Sequence, residues 1–180
     1  SIPEKSAPQH TYKDDDIVIV SGLRSPITKA KRGGLKNLKA DNLLAAVLTE
    51  LMKRTPEVKM DRVGDMIVGN CLQPGGGQAM ARIAMFEAGF PYSVPVASIN
   101  RQCSSGLQSV ASVAAHITNG DYSLAIAGGV ESMSSCSFQG ATPILDMKAA
   151  KANKHAADCM VPMGITSENV ATAYGISRQE

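Results

Sequence analysis

V-P-V-A-S-I-N-R-Q-C-S-S-G-L-Q-S-V-A-S-V-A-A-H-I-T-N-G-D-Y-S-L-A-I-A, residues Val94 to Ala127, decides the fold class. Its first six residues, Val94 to Ile99, read as a strand. Ser104 to Thr118 is rich in Ala, Ser and Val and predicts a helix, which Asn119-Gly120 closes as a usual C-terminal stop. Ser123 to Ala127 then returns as another strand. A strand, a helix and a strand in such a short span make a βαβ unit, whose two strands run parallel. The small side chains of the helix predict that it lies close against its neighbours.

The same alternation extends upstream. Ile17 to Ser21, ended by Gly22, predicts a strand; Asp41 reads as the N-cap of a helix over Asn42 to Arg54, with Leu44, Val47, Leu48 and Leu51 on one face. Met66 to Gly69 predicts a strand, and Ala79 to Ala88 a helix stopped by Gly89. The first 130 residues therefore call for an α/β fold with a mostly parallel sheet covered by helices. After Met133 the pattern becomes Ser-rich and loosely periodic through Asp158, with a short helix expected from Ser167 to Tyr174, before Gly175. Three parts follow: a flexible tail over 1–16, an α/β domain over 17–133, and an excursion over 134–180. Ser177-Arg178-Gln179-Glu180 has the form of a capping box, so a helix is expected to start there and the chain to continue.

Composition excludes several classes of function. Lys and Arg number 18 against 16 Asp and Glu, and no long basic run is present, which argues against a nucleic-acid partner. Apolar stretches are broken well before the roughly 18 residues of a membrane span, so a soluble chain is expected. The chain starts at Ser1 rather than Met, which reads as a processed or trimmed tail with no legible targeting signal. Its four cysteines, Cys71, Cys103, Cys136 and Cys159, are irregularly spaced, without C-x-x-C or a nearby His pair. Free thiols in a reducing compartment and no metal are expected.

Cys103 is the strongest candidate for chemistry because it lies between a strand and a helix. Backbone N–H groups and the positive end of the helix dipole favour a thiolate there, and can lower a cysteine pKa from about 8.5 toward ~7. Those N–H groups, that of Cys103 included, could also hold an oxyanion. Arg101 adds positive charge nearby. The bland alternative is a small buried hydrophobe, the usual state of a free cysteine. No convincing base accompanies it. His116 is thirteen residues further along the same helix, about 20 Å at 1.5 Å per residue. His10 belongs to the tail, and His155 follows a Lys- and Ala-rich stretch that reads as a solvated loop. Gly75-Gly76-Gly77 lacks the Lys-Ser/Thr of a P-loop and Gly33-Gly34 lacks dinucleotide-binding spacing, so both read as turns.

Asn100 to Leu107, N-R-Q-C-S-S-G-L, resembles the nucleophile motif of thiolases of the peroxisomal 3-ketoacyl-coenzyme A type. Gly128 to Ser134 resembles the family's G-G-x-E-S-M-S segment, and Pro162 to Val170 its loop-domain motif. The resemblance implies a condensing-enzyme fold of two similar α/β halves, with this chain matching the first half and the beginning of the inserted loop domain. It implies that Cys103 accepts the acyl group, that its N–H contributes to an oxyanion hole, and that Met163 binds substrate near the pantetheine arm. Glu131 and Ser132 are expected to be structural or subunit contacts. Lys29, Lys31 and Arg32 could meet the phosphates of coenzyme A, or form a solvated basic loop. The partners implied are acyl-coenzyme A and coenzyme A as substrates, with no separate cofactor, in a homodimer or homotetramer and a peroxisomal location. The implied activity is thiolytic cleavage in β-oxidation. Alternatives are biosynthetic acetoacetyl-coenzyme A formation, or a non-catalytic truncated assembly partner. The family's Gly-His-Pro, Cys-x-Gly and Asn-Glu-Ala-Phe motifs do not occur here, so the segment alone is expected to be inactive.

Overall fold

Every residue of Met66–Gly69 (β1) is buried, as a strand covered on both faces requires. In the computed structural model, which describes residues 11, 13–136 and 145–179, β1 is the centre of a three-stranded parallel sheet. Val96–Ile99 (β2) pairs on one side, with Met66 opposite Val96, and Ile126–Gly129 (β3) on the other, with Met66 opposite Ile126. Alternation along β1 sends Met66 and Val68 to one face, into a core shared with two helices, Ala40–Arg54 (α1) and Gln78–Glu87 (α2). Leu44, Leu48 and Met52 of α1 and Ala81, Ala84 and Met85 of α2 fill that core, closed by Phe90 and Val94. Burying a Leu, Met, Val or Phe side chain contributes about 1.5–3 kcal/mol.

The opposite face, toward which Ile67 and Gly69 point, carries Ser105–Asn119 (α3). Here the packing is of backbone on backbone. A Cβ added to Gly69 would lie 2.5 Å from the carbonyl carbon and oxygen of Ser105, and one on Gly129 would lie 3.1 Å from the Gly69 oxygen. Ser105, Ser109 and Val113, one turn apart, are the buried residues of α3. The Ser109 hydroxyl sits between the carbonyls of Gly106 (2.7 Å) and Gly128 (2.8 Å), tying helix to sheet. Gly120 ends the helix at φ 82°, in the left-handed region that glycine tolerates.

Several expectations are corrected. Ile17 to Ser21 forms no strand with any of the described residues; Val18, Ile19 and Val20 are 72, 81 and 72% exposed. A β-branched run predicts suitability for a sheet, but a strand also needs a neighbour's hydrogen bonds. The first helix begins at Ala40 with Lys39 as N-cap, so Asp41 lies inside the first turn, where its charge favours the dipole without capping. β2 starts at Val96 rather than Val94, since Pro95 has no N–H to give a ladder. β3 lies at Ile126–Gly129, later than Ser123–Ala127.

The described chain divides into two compact units, one through residue 141 and one from residue 142. Contacts of the first extend beyond Met133: the Ser134 hydroxyl accepts from the Lys31 N–H (2.9 Å). The second unit holds three helices, Met147–Ala152 (α4), Lys154–Asp158 (α5) and Met163–Tyr174 (α6). α4 and α5 fall where irregular sequence was expected. They start at Asp146 and Asn153, whose side chains accept from Lys148 and Ala149 N–H and from Ala156 N–H respectively. α6 begins at Met163, four residues before the expected Ser167. The expected tail and the final capping box lie wholly or partly outside the described residues. Among the described residues no helix is long and apolar enough to cross a membrane.

Close packing at Gly69 is testable against Gly128, which stands opposite Val68 in the adjacent strand. Gly69→Ala must push α3 off the sheet and is expected to cost about 1–3 kcal/mol in urea unfolding. Gly128→Ala meets no heavy atom within 4 Å and should stay within about 0.5 kcal/mol.

Candidate functional site

Parallel strands discharge their loops at one end of the sheet, and the carboxyl ends of β1, β2 and β3 converge there. Asn100 to Ser104, after β2, forms a tight turn into α3. Gln102 stands at φ 52°, a left-handed conformation that costs a non-glycine residue about 1 kcal/mol or more. It is held by its neighbours. Its N–H donates to the Asn100 Oδ1 (2.9 Å), and its carbonyl accepts from the Ser105 N–H (3.0 Å). The buried Ser105 hydroxyl accepts from the Arg101 N–H (2.8 Å) and points its proton toward the Gln102 carbonyl, with the Asn70 carbonyl 3.2 Å away. The turn presents Cys103 as an exposed free thiol two residues before α3.

The second wall is the loop after β1, which sequence reasoning left out. Asn70 is buried, donates its N–H to the Ile99 carbonyl (3.1 Å), and uses its side-chain amide to hold the Gly76 carbonyl (2.8 Å). A Cβ on Gly77 would meet that amide at 2.4 Å, and Gly75, Gly76 and Gly77 all have positive φ, so this Gly run is a turn packed on Asn70. Cys71 is half-buried, and its Sγ is 4.0 Å from the Gln102 Oε1. Burial, then the neighbouring Cys103 and Glu131, push the Cys71 thiol up from its ordinary pKa. Glu131, two residues after β3, accepts from the N–H groups of Cys71 (2.7 Å) and Leu72 (3.2 Å) and from the Gln73 side chain (3.2 Å). The signal for these residues was their position just past strand ends, not their type.

His116, near the far end of α3, bonds Asp121 at 2.6 Å, and this bond with that from Asn119 holds the Asp121 carboxyl below its usual range. It staples the helix end. Lys29 to Arg32 form an exposed turn closed by the Gly33 N–H on the Lys29 carbonyl (2.6 Å). In the second unit, Met163 is the first residue of α6 and 67% exposed, and His155 lies exposed in α5. A cavity of about 260 Å³ in the first unit has Leu44, Leu48, Met66, Ile126 and Glu131 among its lining residues.

Residues 17–180 match the family model described as "Thiolase, N-terminal domain". The chain belongs to the thiolase family. It is 51% identical over 165 residues to a peroxisomal 3-ketoacyl-CoA thiolase B of Rattus norvegicus, covering 92% of this chain and 38% of that relative. The dimeric peroxisomal thiolase of Saccharomyces cerevisiae superposes with a TM-score of 0.86 at 36% identity, over 93% of this chain and 44% of that one. An acetyl-CoA acetyltransferase of Bacillus anthracis follows with 0.69 at 34%, over 87% and 41%. The chain thus spans about two fifths of the length of these relatives. The α/β layers around β1 are those of the thiolase-like, condensing-enzyme fold.

Differences in surroundings between the two neighbouring thiols predict an order of reaction. With iodoacetamide near neutral pH, the exposed Cys103 should be alkylated before Cys71. Because the Cys71 pKa is raised, its alkylation should emerge only at more alkaline pH than that of an ordinary thiol. Peptide mapping across a pH series checks both; Cys71 reacting first at neutral pH contradicts the assignment.

Proposed function

We propose that Cys103 is the acyl-accepting nucleophile of a 3-ketoacyl-coenzyme A thiolase of peroxisomal β-oxidation. The observation that carries this reading is the exposed thiol held by a strained, hydrogen-bonded turn at the start of α3. Its sulfur attacks the 3-keto carbon; the C2–C3 bond breaks, and its electron pair leaves with the acetyl-coenzyme A fragment, which then takes a proton. The shortened acyl group stays on sulfur as a thioester. The thiol of free coenzyme A attacks that carbonyl, carries the acyl group away and returns Cys103. Covalent catalysis divides one difficult step into two. In the turn, the N–H groups of Gln102, Ser104 and Ser105 are already bonded, so the Cys103 N–H is the donor assigned to the oxyanion.

The likeness to the rat peroxisomal 3-ketoacyl-CoA thiolase supports the substrate class and the peroxisomal location, and the likeness to the dimeric yeast thiolase supports a homodimer. In this reading residues 17–133 are the N-terminal α/β domain, 134–180 begin the loop domain, and Met163 is a substrate-binding residue near the pantetheine arm. The acetyl-CoA acetyltransferase likeness supports a second reading, biosynthetic acetoacetyl-coenzyme A formation. Activity across a chain-length series separates the two: cleavage of long 3-ketoacyl substrates supports the first, and acetoacetyl-coenzyme A alone the second.

In the full-length protein, Cys103→Ser is expected to lower kcat by a factor on the order of 10⁴ or more with the fold intact. Retention of a tenth of the activity would move the nucleophile elsewhere. Residues 1–180 alone should show no turnover above background, because the histidine on the Cys103 helix is about 20 Å along its axis and engaged with Asp121. General acid-base assistance is worth about 10²–10⁴-fold. Turnover by this segment comparable with an intact thiolase would require a base within it.

A further inference from the structure

We infer that Glu131 is a positioning residue for Cys103, acting through the Cys71 peptide and the Asn100 side chain. Three donors converge on its carboxylate: two consecutive backbone N–H groups, of Cys71 and Leu72, and the Gln73 amide. No cation pairs with it among the described residues, so its charge is balanced by the loop it binds. Charge-assisted bonds are roughly twice as strong as neutral ones, and this loop is fixed accordingly.

The fixed loop in turn holds the nucleophile. The Cys71 carbonyl accepts from the Asn100 Nδ2 (3.1 Å), which orients that amide so that its Oδ1 accepts from the Gln102 N–H (2.9 Å). That bond supports the one left-handed residue of the turn, immediately before Cys103. The relay thus runs from the end of β3, across the end of β1, to the end of β2. Glutamine at 131 has nearly the same shape but only one oxygen and a donating NH₂, so it cannot accept from all three groups. Removing the Asn100 amide cuts the same relay at its other end.

The inference rests on Cys103 being the nucleophile, and its test separates the two ideas. Glu131→Gln, Asn100→Ala and the double variant are made in the full-length protein. Steady-state kinetics with a 3-ketoacyl-coenzyme A should show each single variant losing kcat by about 10- to 100-fold with KM within about twofold. The double variant should be no worse than the worse single one, as two cuts in one relay require. Glu131→Asp keeps the charge but withdraws it by one methylene, so it should show a smaller loss. If Glu131→Gln does not fold, Glu131→Asp takes its place in the cycle. Independent, multiplying losses, or folded variants with unchanged kcat, overturn the inference. Peptide-resolved iodoacetamide rates at Cys103 supply a readout that needs no turnover. Both single variants should shift that rate by the same factor, about threefold or more, and the double variant no further. If the wild-type protein fails to cleave 3-ketoacyl substrates, the proposed activity falls and this second readout alone decides the relay: unchanged Cys103 rates overturn it.

Discussion

The absence of a side chain at Gly69 is the constraint on which the rest of the site depends. With no Cβ there, the backbone of Ser105 comes down on the end of β1, and α3 begins against the sheet rather than a side-chain layer away. Serine 105 and serine 109 can then reach carbonyls of three different segments, at Asn70, Gln102 and Gly128. Larger residues at either point would restore an ordinary helix-on-sheet distance and break those bonds. The apolar core on the other face, built from Met66, Val68, Leu48 and Met85, supplies stability but leaves the chemistry untouched.

From that contact follows the geometry of the proposed nucleophile, Cys103. A helix seated so closely leaves only a short turn between β2 and α3, and the chain makes it by placing Gln102 in the left-handed region. Such a conformation persists only when its surroundings fix it. Here Asn100, Ser105 and the loop after β1 do so, and Glu131 fixes that loop. Stability on one face and strain on the other are therefore properties of the same four-residue strand.

Much of this was legible in the sequence because it is local. Strand, turn, helix and stop between Val94 and Gly120 each carry their own signal, and β1 matched Met66–Gly69 because a short apolar run between polar neighbours has few alternatives. What was not legible depends on pairing in space. Ile17 to Ser21 has strand composition yet forms no strand among the described residues and its side chains from Ile17 to Val20 are exposed, since composition cannot say which edge accepts it. α4 and α5 lack apolar period and rest on Asp146 and Asn153 as caps, a signal that could have been used. The neighbours of Cys103 were hidden for a different reason. Cys71 and Glu131 lie 32 residues before and 28 after it, and only the strand order brings them together.

The most direct test of the account is to find which atom carries the acyl group. Incubate the full-length protein with a 3-ketoacyl-coenzyme A without free coenzyme A, quench in acid, digest and locate the thioester by mass spectrometry. The account predicts the shortened acyl group on the peptide that contains Cys103, and its discharge when coenzyme A is added before the quench. Acylation of Cys71, Cys136 or Cys159 with Cys103 unmodified would contradict it.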